Sequence, residues 1–466
     1  MSDAATAPLP YKIARLRGMM FMEYAIRGVW LPLAARFLSA SPEEGGLGFT
    51  DQQIGYTVGV ALALGAIFSP LIAGPLADRR FATQKFMGVL LLIGGAIKIF
   101  TAYQTSFAAW MCLSILYAIL FVPTMSLSNS LAMSHMDDPR RQFPGVRVWG
   151  TIAWIVVSWV FPMLWLQDNL TLQWLPPFFK GDDVPMKAGR MLDSVKVAGV
   201  LALIYGTYCW FCLPNTPPTK SDKSQRWLRE FFTSLLSACR VFRKRSMFIL
   251  LTSTFIVGSV HFLYFYQTSK FLKSIGLNDA YIMPAMSIGQ FAEIGAMVAL
   301  GLMLRRIGFR NVLLIGAGCY YLRYLVFANF ESLPLWAIIA SQALHGPCFA
   351  CFYAAGFIYV DRMAPADVKH SAQTLFGLMC FGIGPLTAGQ LNASLADWCT
   401  PKYERVATGP VSDILDKVSS VDVGALNYSQ FWVSTAAISI VGFALLALLF
   451  KDETPEEVAT DLVPAE

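Results

Sequence analysis

Arg147 interrupts the start of a long apolar run. Thr151 and Trp154 follow four and seven residues later, so a helix would place all three side chains on one face. A guanidinium in hydrocarbon is tolerated where it faces a wet cavity or a polar partner. It can also snorkel to the lipid headgroups, and Arg140 and Arg141 just before it leave that alternative open.

Polar side chains inside other apolar runs are candidates for binding or proton transfer, because hydrocarbon penalises them. Glu23 and Arg27 are spaced i, i+4 and can pair on one helix face, as a proton-titrating carboxylate held by an arginine or as a structural ion pair. Asn129 follows Pro123 near the middle of another run and can bind a ligand or a neighbouring helix. Arg323 lies near an outer end, where we expect it to snorkel.

The C-terminal half supplies a second set of candidates. His261 and Tyr264 form a polar stripe, in which His261 can carry a proton near neutral pH or stay neutral and bonded to a neighbour. Gln290 and Glu293 are spaced i, i+3, and Glu293 has no basic residue in its own run. Further candidates in a broken, aromatic-rich segment are His345 and Phe349. Together with Arg147, these groups suit a neutral polar ring compound, with hydroxyls bonded and a flat ring stacked.

The amino-acid composition indicates that these residues lie in a membrane protein. The chain has 466 residues, of which 56% are hydrophobic and 14% charged, whereas soluble domains carry about 25% charged residues. Repeated apolar runs of about 20 residues predict a polytopic helical membrane protein. The net charge of +6 is explained by basic cytoplasmic loops and not by nucleic-acid binding. We expect no cleavable signal sequence, because the first twelve residues are polar or contain proline and the first apolar run is too long for one. We expect no cofactor or metal site and no enzymatic activity, since the nine cysteines are scattered and no metal-ligand cluster or nucleophile motif is present.

We predict an all-α membrane protein with twelve transmembrane helices in two six-helix bundles, covering residues 1–213 and 247–466. Between them, residues 214–246 read as a cytoplasmic linker with a basic amphipathic helix lying on the leaflet. The predicted spans are roughly 16–38, 52–77, 86–104, 107–133, 146–166, 194–213, 247–272, 280–304, 311–329, 335–360, 371–394 and 429–450.

Basic residues concentrate in alternate loops, which predicts that both termini are cytoplasmic. The opposite loops are poorer in basic residues, and residues 39–50 contain Glu43 and Glu44 but no lysine or arginine. The basic residues that set this orientation are Lys12, Arg15, Arg17, Arg79, Arg80, Lys85, Arg140, Arg141, Arg305, Arg306, Arg310, Arg362, Lys369 and Lys451.

Two charged, glycine-led turns occupy matching places in the two halves. The first contains Gly74, Asp78 and Arg79, and the second runs from Gly301 to Gly308 but lacks the acid. Such turns let two helices approach closely and pair through ions. With twelve spans, they resemble the major facilitator superfamily, which implies that two halves rock around a midplane site.

Five segments resemble more narrowly the bacterial nucleoside:proton symporter family of that superfamily: 123–129, 143–152, 287–293, 344–349 and 371–377. The resemblance implies import of nucleosides by proton symport across the inner membrane, by a multi-pass protein that works as a monomer. By position, it implies that the nucleoside is held by Arg147, Thr151, Gln290 and Glu293, with Trp154 and Phe349 as aromatic neighbours. Weaker assignments, where other polar residues stand in the family, are His261, Tyr264 and His345.

Ala350 is the largest departure from the family, because an aspartate linked to proton coupling is expected there. Either symport is lost or the proton moves to Glu23, Glu293 or His261. The altered segments also leave open a sugar, another polyhydroxylated solute or a nucleobase as substrate, and a proton-independent facilitator as mechanism. A solute sensor without transport is disfavoured, because no predicted cytoplasmic segment is long enough for an extra domain.

Overall fold

The computed structural model describes residues 11–69, 82–174, 177–216, 236, 239–365, 368–404 and 421–453. Within these residues the chain is mostly helical, and ten helices are long and apolar enough to cross a membrane. The helices before residue 240 are α1 Lys12–Gly28, α2 Leu31–Ser39, α3 Asp51–Ser69, α4 Thr83–Thr101, α5 Phe107–Ser134, α6 Pro139–Trp165 and α7 Lys187–Phe211. The later helices are α8 Arg245–Ser274, α9 Asp279–Ala328, α10 Leu335–Met363, α11 Ser371–Trp398 and α12 Tyr428–Leu449.

The helical path is broken at two places that the sequence did not predict in this form. The run predicted over 16–38 consists of α1 and α2, separated at Val29 and Trp30. Helix α9 covers both runs predicted over 280–304 and 311–329, but its path is broken at Gly308. Gly308 has a φ of +76°, a left-handed conformation that glycine adopts without steric cost. The break therefore falls within the second glycine-led turn.

Helices α6 and α7 each begin about two turns before the predicted bounds, at Pro139 and Lys187. Arg147 consequently lies about two turns inside α6 and not at its first turn. The helix continues through Phe143-Pro144, although a proline inside a helix removes one backbone hydrogen bond.

Two small antiparallel sheets correct the expectation of a purely α-helical chain. Strands β1 Gln167–Trp174 and β2 Pro177–Asp183 form a hairpin, with Gln167 opposite Asp183 and Trp174 opposite Pro177. Strands β3 Lys402–Glu404 and β4 Val421–Val423 form the second pair. Both lie in the polar connections after α6 and after α11, so they add to the loops and leave the helical bundle unchanged.

Buried apolar side chains fall into two clusters. One is built mainly from residues between Leu16 and Leu213, and the other runs from Val241 to Phe450. A few residues from α8, α9 and α11, including Phe262, Tyr266 and Met283, pack into the first cluster. We refer to residues 11–213 as the N-terminal half and residues 241–453 as the C-terminal half.

Two parts of the predicted architecture lie outside the described residues. These are the first glycine-led turn, with Gly74, Asp78 and Arg79, and most of the proposed linker helix after residue 216.

Candidate functional site

The N-terminal wall of the candidate site is formed by α6. The guanidinium carbon of Arg147 lies 4.1 Å from the centroid of the Tyr24 ring on α1. Arg147 thus contacts α1 of its own half, and stacking on an aromatic face partly replaces the water that the cation has lost. Thr151 and Trp154 follow on the same helix and are half-buried.

The C-terminal wall depends on a close crossing of α9 and α10. A Cβ atom at Gly346 would lie 2.3 Å from the backbone carbon of Ala292 and 2.5 Å from the backbone nitrogen of Glu293. A Cβ atom at Gly289 would lie 2.7 Å from the Cβ of His345. Only residues without side chains permit this approach. The crossing therefore fixes the backbone that carries the predicted binding residues of both helices.

Gln290 and Glu293 offer unused polar groups on this wall. Gln290 is buried, and its Oε1 has no hydrogen-bond partner among the described residues. Glu293 is half-buried and interacts electrostatically with Arg147 across the interface of the halves, but the two are not within ion-pair distance. The two charges are thus close enough to interact and are not bonded to each other.

The two walls are joined on one side of the site. The indole Nε1 of Trp159 on α6 donates a hydrogen bond of 2.8 Å to the Ser287 hydroxyl on α9. Trp159 is three turns beyond Arg147, and Ser287 is two turns before Glu293, so the bond lies away from the Arg147–Glu293 level.

Arg323 corrects the expectation of a snorkelling arginine. It is 0% exposed and lies inside the C-terminal half. Its Nη1 is 2.9 Å from His345 Nδ1, its Nη2 donates to the Tyr324 hydroxyl at 3.0 Å, and its guanidinium stacks 4.3 Å from the Tyr264 ring centroid. Because a guanidinium has donors only, His345 Nδ1 must accept, which assigns the ring proton to Nε2.

The other two polar residues of this wall are also engaged with neighbours. His261 Nδ1 is 2.7 Å from the Tyr320 hydroxyl, and its ring stacks on His345 with centroids 5.6 Å apart. The Tyr264 hydroxyl donates to Gln342 Oε1 at 2.9 Å. The structure brings His261, Tyr264 and His345 together as one buried aromatic and hydrogen-bonded group.

Phe349 and Ala350 lie in a π-helical segment, Cys348–Ala354, within α10. Such segments often occur at functional sites, because the extra residue per turn redirects side chains. Phe349 is half-buried, and its ring is 5.9 Å from that of Tyr353. Ala350 is fully buried, and its methyl side chain carries no titratable group.

The remaining sequence candidates lie within the N-terminal half. Glu23 is 1% exposed and accepts a hydrogen bond of 2.9 Å from Thr124. It does not form the i, i+4 ion pair that its spacing from Arg27 allowed; Arg27 instead donates to the Met125 sulfur at 3.2 Å. The amide oxygen of Asn129 is buried and has no partner among the described residues.

Sequence reasoning missed Lys98 and a set of contacts between the halves. Lys98 is 2% exposed within α4, and the signal available was a lysine inside an apolar run. Asp51 Oδ1 accepts from Lys270 at 2.6 Å and from Gln267 at 2.9 Å, and Asn392 also donates to it at 3.3 Å. We call these four residues the Asp51 cluster.

A second group of contacts lies beside the Asp51 cluster. Asp279 accepts from Arg36 at 3.3 Å and pairs with Lys273 at 2.9 Å. Asn278 donates to Asp183 in the β1–β2 hairpin at 2.8 Å. Together these contacts join the N-terminal and C-terminal halves at the end of the bundle where α2 and the hairpin lie.

Comparison with known families matches almost the whole chain. The family model described as nucleoside H+ symporter covers residues 12–455. The putative nucleoside transporter YegT of Escherichia coli is 29% identical over 448 residues, covering 96% of this chain and 95% of that protein. Nucleoside permease NupG of Escherichia coli is 25% identical over 454 residues, covering 93% and 95%.

Solved structures share the fold. The crystal structure of the nucleoside transporter NupG superposes with a TM-score of 0.74 at 20% identity, covering 95% of this chain and 100% of that one. A D-xylose–proton symporter superposes with a TM-score of 0.60 at 13% identity, covering 95% and 98%.

Proposed function

We propose that this chain imports nucleosides by alternating access around a midplane site. The chain belongs to the nucleoside H+ symporter family, and it is a membrane transporter and not an enzyme. The observation that carries the proposal is the pairing of two walls, one from each half, with Arg147 opposite Glu293 and no ion pair between them. The unpartnered Gln290 oxygen adds a third polar group.

The chemistry of these groups suits a nucleoside. Arg147 donates, Glu293 accepts, and Gln290 does both, so all can bond ribose hydroxyls or the polar edge of a base. Trp154 and Phe349 provide aromatic surface on which a flat base can stack. Thr151 and the Nε2–H of His345 are further hydrogen-bonding groups of the proposed site.

The proton pathway in the proposed mechanism uses Glu293. His261 is held by Tyr320 and lies among aromatic rings beside His345, which supports a structural role for it. Glu23 is bonded to Thr124 within the N-terminal half, away from the substrate groups of α9, and remains the second candidate. Glu293 interacts electrostatically with Arg147, so that a proton on its carboxyl would change the charge that substrate meets. Coupling would then need no acid at Ala350.

The proposed architecture has twelve spans, with α1–α2 counted as one and α9 as two, and with both termini cytoplasmic. Residues 1–213 and 247–466 act as the two six-helix halves, joined by the 214–246 linker, in the inner membrane. This assignment is supported by the break at Gly308, by the alternate basic loops and by the two buried clusters.

Contacts between the halves support alternating access. The Asp51 cluster and the Asp279 contacts gather at the end opposite the basic loops, which we propose is the outer end. Closure at that end would leave the proposed site to open toward the cytoplasm. Release of these contacts would open the outer route.

Variants of the site test the binding proposal. We expect Arg147→Ala, Gln290→Ala and Glu293→Gln each to reduce binding and uptake of labelled uridine at least tenfold, because the first two remove hydrogen-bonding groups and the third removes the charge of the carboxylate. The matched control is Arg190→Ala, which removes an arginine 5.3 Å from the Trp165 ring outside the site and should leave uptake unchanged. Unfolding temperatures close to that of the wild type would show that the variants fold. Normal uridine binding by all three variants would show that these residues do not form the binding site.

A further inference from the structure

A small cavity lies within the N-terminal half, between α1, α3, α4 and α5. Its volume is about 40 Å³. The polar residues in its lining are Arg27, Trp30, Thr57, Lys98, Ser114 and Tyr117, and the rest of the lining is apolar. None of the residues of the proposed nucleoside site contributes to this lining.

Two basic side chains, Arg27 and Lys98, line this cavity, and no carboxylate does. Lys98 Nζ lies 3.2 Å from the Trp30 ring centroid and 4.7 Å from that of Tyr117. Neither Lys98 nor Arg27 forms an ion pair with a carboxylate in the part of the chain that the structure describes. Glu23, the acid one turn before Arg27, accepts a hydrogen bond from Thr124 and interacts electrostatically with Arg27. Aromatic faces offset part of the lost hydration of Lys98, but a buried ammonium without a carboxylate beside it still favours an anion.

Hydrogen-bond donors around the cavity are unused. The hydroxyl of Tyr117, a residue that is 6% exposed, has no partner among the described residues. The same holds for the indole Nε1 of Trp30, which can only donate. A lining of two cations, an indole N–H and a free hydroxyl is rich in donors, and it contains no carboxylate.

We propose that this cavity binds one small inorganic anion, chloride under physiological conditions. A water molecule needs about 10–15 Å³ of such space, so the cavity has room for a monatomic anion and one or two waters. A nucleoside or a phosphate ester is too large for it. The ion neutralises one of the two charges and ties α1, α4 and α5 together, independently of the solute that the protein carries.

Binding of ³⁶Cl⁻ to the purified full-length protein in detergent tests the proposal. We expect saturable binding of about one ion per chain, and a higher unfolding temperature in sodium chloride than in sodium gluconate at equal ionic strength. Lys98→Met should lose both effects. The matched control is Lys85→Met, because Lys85 is an exposed lysine 5.8 Å from the Trp210 ring and lies outside the cavity; it should keep both.

If Lys98→Met does not fold, chloride binding is measured in Tyr117→Phe. This variant removes only the unpartnered hydroxyl and should weaken chloride binding about three- to tenfold. Wild-type protein that binds no ³⁶Cl⁻ and unfolds at the same temperature in both salts would overturn the proposal. Equal chloride affinity in Lys98→Met and wild type would overturn it as well.

Discussion

At the residue scale, three cations inside the helical bundle lie against aromatic rings. Arg147 stacks on Tyr24, and Lys98 on Trp30. Arg323 stacks on Tyr264 and also donates to His345. Stacking lowers the cost of removing each cation from water while leaving its charge available to a solute or an ion.

The variant Arg323→Lys distinguishes a positioning role of the Arg323 side chain from an effect of its positive charge alone. Arg323→Lys keeps the charge but cannot bond His345 and Tyr324 together through one planar group. We expect a loss of about 2 kcal/mol in stability, that of one charged hydrogen bond, and lower uridine uptake because His345 is no longer held with its proton on Nε2. Thermal unfolding and uptake assays measure the two effects.

The matched control for Arg323 is Arg310→Lys. Arg310 donates to the backbone oxygens of Phe450 and Ala447 outside the site, so its change should leave uptake intact. Equal loss of uptake in both variants, or none in either, would contradict the role assigned to Arg323.

Sequence located the charged residues but not their partners. Arg323 was placed at an outer interface because position in an apolar run gives depth only roughly. Its buried contacts come from Tyr264, Tyr324 and His345, which stand on three different helices. Such convergence depends on helix rotation and packing, which hydropathy does not encode.

At the scale of elements, the crossing of α9 and α10 sets the geometry of the C-terminal wall. Gly346 lies against Ala292 and Glu293, and Gly289 lies against His345. The sequence showed the glycine and proline of α10 as a broken segment. It did not show that the glycine is the point of contact with the helix that carries Glu293.

Gly346→Ala tests this crossing. The added Cβ would sit 2.3 Å from the Ala292 backbone, so α9 and α10 must separate and Glu293 must move. We expect uridine uptake to fall at least tenfold in protein that still folds, since a displacement of about 1 Å near a site is enough for such a loss.

Gly318→Ala, on the neighbouring helix α9, is the control for Gly346→Ala. Its Cβ would meet the Phe443 ring at an ordinary 3.5 Å, and uptake should be retained. Wild-type uptake by Gly346→Ala would show that the crossing does not position the site.

Helix positions were predictable where hydropathy was strong. Helices α5 and α12 begin and end within a few residues of the predicted spans. Helices α6 and α7 begin earlier than predicted, because the first turns of both contain charged residues and those of α6 also contain prolines. The β1–β2 hairpin was not predicted, since most of its described residues are polar or exposed and lack regular alternation.

At the scale of the whole molecule, the two halves meet through polar contacts and through bare backbone. Besides the Asp51 cluster, Gly55 on α3 faces Gly389 on α11, where a Cβ atom at Gly55 would lie 2.6 Å from the Gly389 oxygen. In the proposed alternating access, a close contact of this kind can form and separate as the halves move. This interface was not predictable from sequence, because it depends on how two separately packed halves dock.

A disulfide across the Asp51 cluster tests the proposed motion. Asn392 Nδ2 lies 3.4 Å from the backbone oxygen of Asp51, so Asp51→Cys with Asn392→Cys brings two thiols close. We expect oxidation to stop uridine uptake and a reductant to restore it, because the outer end can no longer open. Each single variant, treated with the same oxidant, is the control. Full uptake by completely cross-linked protein would contradict alternating access through this end.

Uptake of labelled uridine into proteoliposomes, with and without an inward proton gradient, tests the central claim most directly. Excess unlabelled adenosine or glucose is added as competitor. We predict uptake that the gradient stimulates, that adenosine blocks and that glucose does not affect, and loss of the stimulation in Glu293→Gln. Uridine uptake indifferent to the gradient, or uptake blocked by glucose and not by adenosine, would contradict nucleoside–proton symport through this site.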